Sequence, residues 1–154
     1  MIWSYETRNM DERKVLEKIL ITSMPTIVTD IHGRIIGVNR DWEIMCRFTA
    51  SESMGRTPQI LQGDLTNIES ARAFVRQIRS DKSSFATLIN YRKDGSIFLN
   101  HLHGWSLGDF LIAETYAENA LDDEGETVIG QPIVWYCKAG DRSTSSGICD
   151  SCIE

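Results

Sequence analysis

The sequence predicts an α+β domain, a five-stranded antiparallel sheet with helices packed on one face. Three observations predict it. Two pairs of β-rich segments are each closed by a short glycine-containing turn, segments of helical period lie between the pairs, and no regular strand–helix–strand alternation would build a parallel sheet. A chain of 154 residues is long enough for one domain to bury its own core. The expected division is a flanking helix over 1–24, the domain over 25–140 and a flexible tail over 141–154. The formal net charge of -6 argues against a surface that tracks nucleic-acid phosphates. No apolar run approaches the roughly 20 residues of a membrane span, and the start Met1-Ile2-Trp3-Ser4-Tyr5-Glu6 has neither secretory nor transit character. A soluble, cytoplasmic protein without nucleic-acid or membrane partners is expected.

Taken in order, Asn9 and Glu12 can cap a helix to about Ile21 whose Val15, Leu16, Ile19 and Leu20 share one face. That helix is either a signalling or dimerising flank or a cover for one sheet face. Thr26 to Asp30 and Arg34 to Val38 form a hairpin around Ile31-His32-Gly33, with His32 an exposed turn residue. From Asn39 to Phe48 the period is helical, with Trp42, Met45 and Cys46 inward, and Thr49 to Glu52 has the form of a capping box. Thr66 and Glu69 suggest a second box opening a helix to about Ser80, with Ile68, Ala71, Phe74, Val75 and Ile78 as its buried stripe and Arg72, Arg76 and Arg79 beside or opposite it. Phe85 to Lys93 and Ser96 to Leu107 are strands joined by Asp94-Gly95, a strong hairpin signal. Acidic residues gather from Asp109 to Glu126 as a solvated loop, and Pro132 to Cys137 supplies the fifth strand.

No phosphate-cradling glycine motif occurs. Cys149 and Cys152 form half a zinc site in a polar tail, which reads as a silent terminus rather than a metal or redox motif. His101 and His103 alternate along one strand and share a face, but Asn100 and Leu102 take the opposite, inner face, so an exposed histidine pair is expected rather than a metal site. Asn90 and Asn100 flank the Asp94-Gly95 turn and can meet on the concave face. Two buried amides need partners. A planar heterocycle with alternating donors and acceptors would supply them, as would loop backbone.

On these residues the chain resembles a PAS domain, and within that superfamily the LOV branch of blue-light sensors, which hold FMN between a five-stranded sheet and its helices. The resemblance covers about Thr26 to Leu107 and, in this reading, resumes at Pro132 to Gly140. Its most specific pieces are Gly55-Arg56 with Ile60-Leu61-Gln62-Gly63, then Leu88 to Gly95, then Phe98 to His103. The resemblance implies FMN as cofactor, with Asn90 and Asn100 on the polar edge of the ring and Gln62 on ribityl or ring oxygens. Thr57 and Gln59 would line the flavin loop, and Ile27, Thr29, Leu61, Ala71, Phe74, Ile78 and Leu102 would form the apolar walls.

The departures are equally specific. Pro58 stands where the family has the cysteine that attacks the photoexcited flavin, and proline offers no nucleophile. Gln59 and Val75 stand where the family uses arginines on the phosphate, with Arg72 and Arg79 on the same helical face as Val75. The family's glutamine on the last strand falls on Cys137, or on Tyr136 if the register slips by one; in the first register Trp135 also points into the pocket, and the preceding loop is about sixteen residues longer than usual. The expected protein is a sensory and signalling module, not an enzyme, that can hold flavin without forming the cysteinyl adduct. It would act through a signalling partner or by self-association across its sheet and N-terminal helix. The alternative is a ligand-free PAS domain serving as an association or dimerisation module.

Overall fold

In a computed structural model, residues 10–119 are described. The elements are α1 (Met10–Leu20), β1 (Thr26–Thr29), β2 (Ile35–Val38), α2 (Arg40–Cys46), α3 (Ala50–Ser53), a 3₁₀ turn (Pro58–Leu61), α4 (Ile68–Asp81), β3 (Ser83–Tyr91), β4 (Ile97–Leu107) and β5 (Phe110–Asn119). The five strands form one sheet in the order β2-β1-β5-β4-β3, with every neighbouring pair antiparallel. The predicted α+β class and strand number hold. The Asn9 cap, the segment Pro132 to Cys137 and the Cys149/Cys152 tail lie outside the described residues. Among those described, no helix is long and apolar enough to cross a membrane.

The position of the fifth strand is a correction. It is Phe110–Asn119, central in the sheet between β1 and β4, and it follows β4 through Gly108-Asp109, with Leu107 paired to Phe110. Gly108 takes φ of 56°, the positive φ that so tight a connection requires. Of the acidic residues that suggested a loop, Glu114 and Glu118 lie within this strand, four positions apart. Glu114 and Glu118 alternate with the inward Ala113, Thr115 and Ala117, so the carboxylates occupy one face of a strand.

Two apolar clusters lie on opposite faces of this sheet. On the inner face Ile27, Val38, Trp42, Met45, Cys46, Leu61 and Phe98 pack together, joined by Ala113 and Ala117 of β5. On the outer face Leu16 and Leu20 of α1 are seated on Val28, Ile36, Phe110 and Ile112. α1 therefore covers the face opposite to the remaining helices, which limits the one-face description to α2, α3, the 3₁₀ turn and α4. Helix ends follow local rules. Asn39 caps α2 through its side chain, and Thr49 with Glu52 forms the predicted capping box of α3. At α4 the expected Thr66/Glu69 box is not made: Asn67 is the cap, its Oδ1 accepting from Ser70 N. Thr66 is drawn away by β3, where its hydroxyl donates to Ile89 O at 2.6 Å while accepting from Gly63 N.

Candidate ligand cavity

The inner face of the sheet, α4 and the 3₁₀ turn enclose a cavity of about 500 Å³, within the range that holds small-molecule ligands. The loop Gly55 to Gly63 forms one side and is fixed at both ends. At its start, Gly55 N donates to Ile35 O and Ile35 N to Arg56 O, at 2.9 and 2.7 Å, extending the pairing of β2. At its end, Gly63 lies against the ring of Tyr91, so close that an added Cβ would fall 2.3 Å from a ring carbon. The Tyr91 hydroxyl accepts from Leu65 N at 3.0 Å. Pro58 opens the 3₁₀ turn at its first position, where a missing N–H costs nothing and a fixed φ helps.

Eleven of the twelve residues expected at a ligand line this cavity: Ile27, Thr29, Thr57, Gln59, Leu61, Gln62, Ala71, Phe74, Ile78, Asn90 and Leu102. Asn100 does not. It is buried on β4 one strand behind, where its Nδ2 donates to Asn90 Oδ1 at 2.9 Å, so it holds the lining amide rather than forming the wall. Asn90 Nδ2 finds only the carbonyl of its neighbour Ile89 at 3.2 Å. Asn100 Oδ1 is buried with no hydrogen-bond partner. A leftover buried acceptor beside a lining amide is costly unless a donor reaches it.

Pattern reasoning missed part of the wall. Trp42, read only as core, is fully buried and also borders the cavity. Leu111 and Ala113 were hidden because β5 was not recognised as a strand. At the mouth, His32 and Gly33 of the β1–β2 turn face Arg72, Val75, Arg76 and Arg79 of α4. Ile68, expected to be buried, is exposed at this rim. Arg76 pairs with Glu69 at 3.0 Å, and Arg79 Nη2 donates to Ile31 O at 2.6 Å, bridging α4 to the turn.

Trp135 lies outside the described residues, and the wall at the last described strand is set by β5. The inward positions of β5 are Leu111, Ala113, Thr115 and Ala117, as their pairing with Thr29, Ile27, Leu102 and Asn100 shows. None is glutamine, and Thr115 Oγ1 instead lies 3.1 Å from Met45 Sδ. Among the described residues the free cysteine is Cys46, which does not line the cavity. Burial pushes its thiol up to about 12, so it is a protonated core residue rather than a nucleophile.

The histidines lie on the outer face as parity required, but His101 is not exposed. It is fully buried, its Nδ1 3.0 Å from Thr87 Oγ1 and its Nε2 3.5 Å from Glu118 Oε2. Burial lowers its pKa below the usual imidazole value, opposed by the Glu118 carboxylate. His103 stacks on Phe85 with ring centroids 4.4 Å apart. The described residues contain no cluster of side chains able to hold a metal ion.

A five-stranded antiparallel sheet with short helices over an apolar cavity that has a polar end is an α+β arrangement with room for a small molecule. The chain belongs to the PAS family: the PAS fold profile matches residues 13–111. It is 35% identical over 92 residues to a blue-light photoreceptor of Listeria monocytogenes, covering 57% of this chain and 36% of that protein. It is 34% identical over 85 residues to a blue-light-activated histidine kinase of Brucella canis, covering 53% of this chain and 17% of that protein. The chain thus spans about a third or less of these relatives. Among solved structures, the LOV domain of the Erythrobacter litoralis EL346 blue-light-activated histidine kinase aligns with a TM-score of 0.59 and 27% identity, over 64% of this chain and 98% of that one. A Rhodobacter sphaeroides LOV protein aligns with a TM-score of 0.66 at 14% identity, over 75% and 71%, a likeness of fold. These relatives place the chain in the LOV branch.

Proposed function

We propose that this domain is a flavin-holding sensory module, with FMN as the ligand, that works without a cysteinyl adduct. The observation that carries the reading is the cavity of about 500 Å³ whose polar end pairs a lining amide, Asn90, with the unpartnered buried Oδ1 of Asn100. A ring with an apolar body and an edge of donors and acceptors matches that demand. Phe74, Ile78, Leu61, Leu102, Ile27 and Thr29 would form the walls, and Thr57, Gln59 and Gln62 the loop side. Arg72 and Arg79 at the mouth would hold the anionic tail in place of the absent charges at Gln59 and Val75. Bound flavin supplies blue-light absorption and reversible one- or two-electron chemistry. With Pro58 at the loop position and Cys46 outside the wall, no thiol among the described residues is placed to bond to it.

The role is sensory rather than catalytic, exerted in the cytoplasm through a partner domain or self-association. The names of the relatives, a photoreceptor and a light-activated kinase, support a light- or redox-linked signal. The test is an absorption spectrum of purified protein, before and after addition of FMN, with identification of any chromophore released on denaturation. A structured blue-region band and released FMN are expected. Colourless protein that rejects added FMN would refute the reading and leave an association module without ligand.

A further inference from the structure

We propose that the side chain of Asn39 is the joint through which occupancy of the cavity controls the seating of α1 on the opposite face of the sheet. The proposal rests on the cavity being a ligand site, as argued above, and on one buried amide. Asn39 Oδ1 accepts from Trp42 N at 3.0 Å and from Thr26 N at 2.9 Å. Its Nδ2 donates to Met24 O at 2.7 Å and to Thr22 O at 3.4 Å. Two acceptor sites and two donor hydrogens are all that a carboxamide has, so this side chain is saturated.

Its four partners belong to two different parts of the domain. Trp42 stands in the first turn of α2 and borders the cavity. Thr22 and Met24 belong to the linker between α1 and β1, which runs directly from the seated Leu16 and Leu20. The same linker is gripped from β5, where Thr115 N donates to Pro25 O at 2.8 Å. Asn39 is 5% exposed and Thr26 and Thr115 no more than 1%, so the two bonds to its Oδ1 are shielded from water, and the two made by its Nδ2 to the linker are part-buried. A ligand packed on Trp42 restrains the first turn of α2, and the saturated amide carries that restraint to the linker and so to α1. By linkage, a tightly seated α1 strengthens ligand binding by the same factor. Asn39 is thus a positioning residue outside the cavity wall.

The experiment is hydrogen exchange of peptides spanning α1 and its linker in the full chain, with and without saturating FMN. It is run on the wild type, on Asn39→Asp, which keeps the acceptor and removes both donors, and on Asn39→Ser, which keeps a capping oxygen without adding charge. In the wild type FMN should slow α1 exchange by about fivefold or more, the lower end of ordinary coupling. In both variants FMN should still bind and still protect α4, while its protection of α1 disappears. Protection of α1 that survives in both variants would overturn the proposal and leave Asn39 a helix cap. FMN bound without any protection of α1 in the wild type would overturn it while leaving the ligand site standing. Failure of FMN to bind at all would remove the ligand site and the proposal together.

Discussion

Gly104→Ala tests the free volume of the cavity from a position outside the list of expected ligand contacts. Gly104 lies on β4 between Ser84 and Ala113. A Cβ there would fall 2.5 Å from Ile78 Cδ1 and 2.5 Å from Phe74 Cζ. Ordinary carbon contacts are about 3.5–4.0 Å, so each tip must retreat by roughly 1.0–1.5 Å. Both are ends of side chains that border the cavity, and retreat is open to them while it is empty. Turning both off their rotamers would cost about 1–3 kcal/mol, and the free volume holds the loss of stability in ligand-free protein near the lower end, about 1 kcal/mol. With FMN in place the same space is taken, so the remaining 1–2 kcal/mol, a roughly 5- to 30-fold loss of affinity, falls on binding. Urea unfolding of ligand-free protein and a fluorescence titration with FMN read the two parts separately. A loss of about 3 kcal/mol in ligand-free stability with unchanged FMN affinity would show that Phe74 and Ile78 cannot yield into the cavity, and would refute the assignment of that volume to a ligand.

Four further outcomes are expected. Pro58→Cys places a thiol on the cavity wall and should give FMN-loaded protein a light-induced bleaching that recovers in the dark, where the parent keeps persistent fluorescence; a loaded variant that never bleaches means a different pose of the ring. Arg72→Ala with Arg79→Ala should weaken FMN by about 100-fold or more while leaving riboflavin nearly unaffected, because charge-assisted contacts are worth about 1.5–3 kcal/mol each; equal effects on both ligands would remove the arginines from the anionic tail. His101 has its pKa lowered from 6.5 by burial, so the unfolded chain binds the proton more readily, and stability present above pH 6.5 is lost as pH falls through that value towards the folded pKa. In urea unfolding at several pH values His101→Gln should flatten this decline relative to the wild type; identical slopes would mean that His101 is not desolvated. Lys82 closes α4 with φ of 70°, and Lys82→Gly should stabilise the domain by about 0.5–1 kcal/mol by removing left-handed strain, read as a higher urea midpoint at unchanged slope.

The sequence revealed those parts of the fold whose signals are local. Asp94-Gly95 closes its hairpin at the expected place, Thr49 and Glu52 cap α3, and alternation along β4 correctly turned Leu102 towards the cavity and the histidines away from it. Where a signal depended on competition between partners, it misled. Thr66 has the residue type and spacing of a cap, but Ile89 O on β3 offers a shorter bond than the first turn of α4, and nothing local announces that strand. His101 has the parity of an exposed residue and is buried nonetheless, against Thr87 and Glu118 on the neighbouring strands.

The fifth strand shows why the site was harder to read than the fold. A count of acidic residues treats Asp109 to Glu126 as one solvated run, whereas a sheet distinguishes odd from even positions. Glu114 and Glu118 lie on the face away from the cavity, and Ala113, Thr115 and Ala117 on the face towards it. Those small residues bear directly on function. With β5 at Phe110–Asn119 the described wall there is Leu111 and Ala113, while Trp135, expected at that place with the fifth strand at Pro132 to Cys137, lies outside the described residues. Among the described residues, what separates this cavity from a thiol-based photoreceptor is Pro58 and Gln59 in the loop, Val75 on α4 and the missing glutamine on the inward side of β5. The loop's two anchors, Ile35 at its start and the Gly63–Tyr91 contact at its end, fix the position of residue 58 independently of the side chain there. That is why exchanging Pro58 alone is a fair test of whether the cavity still presents its contents to that position.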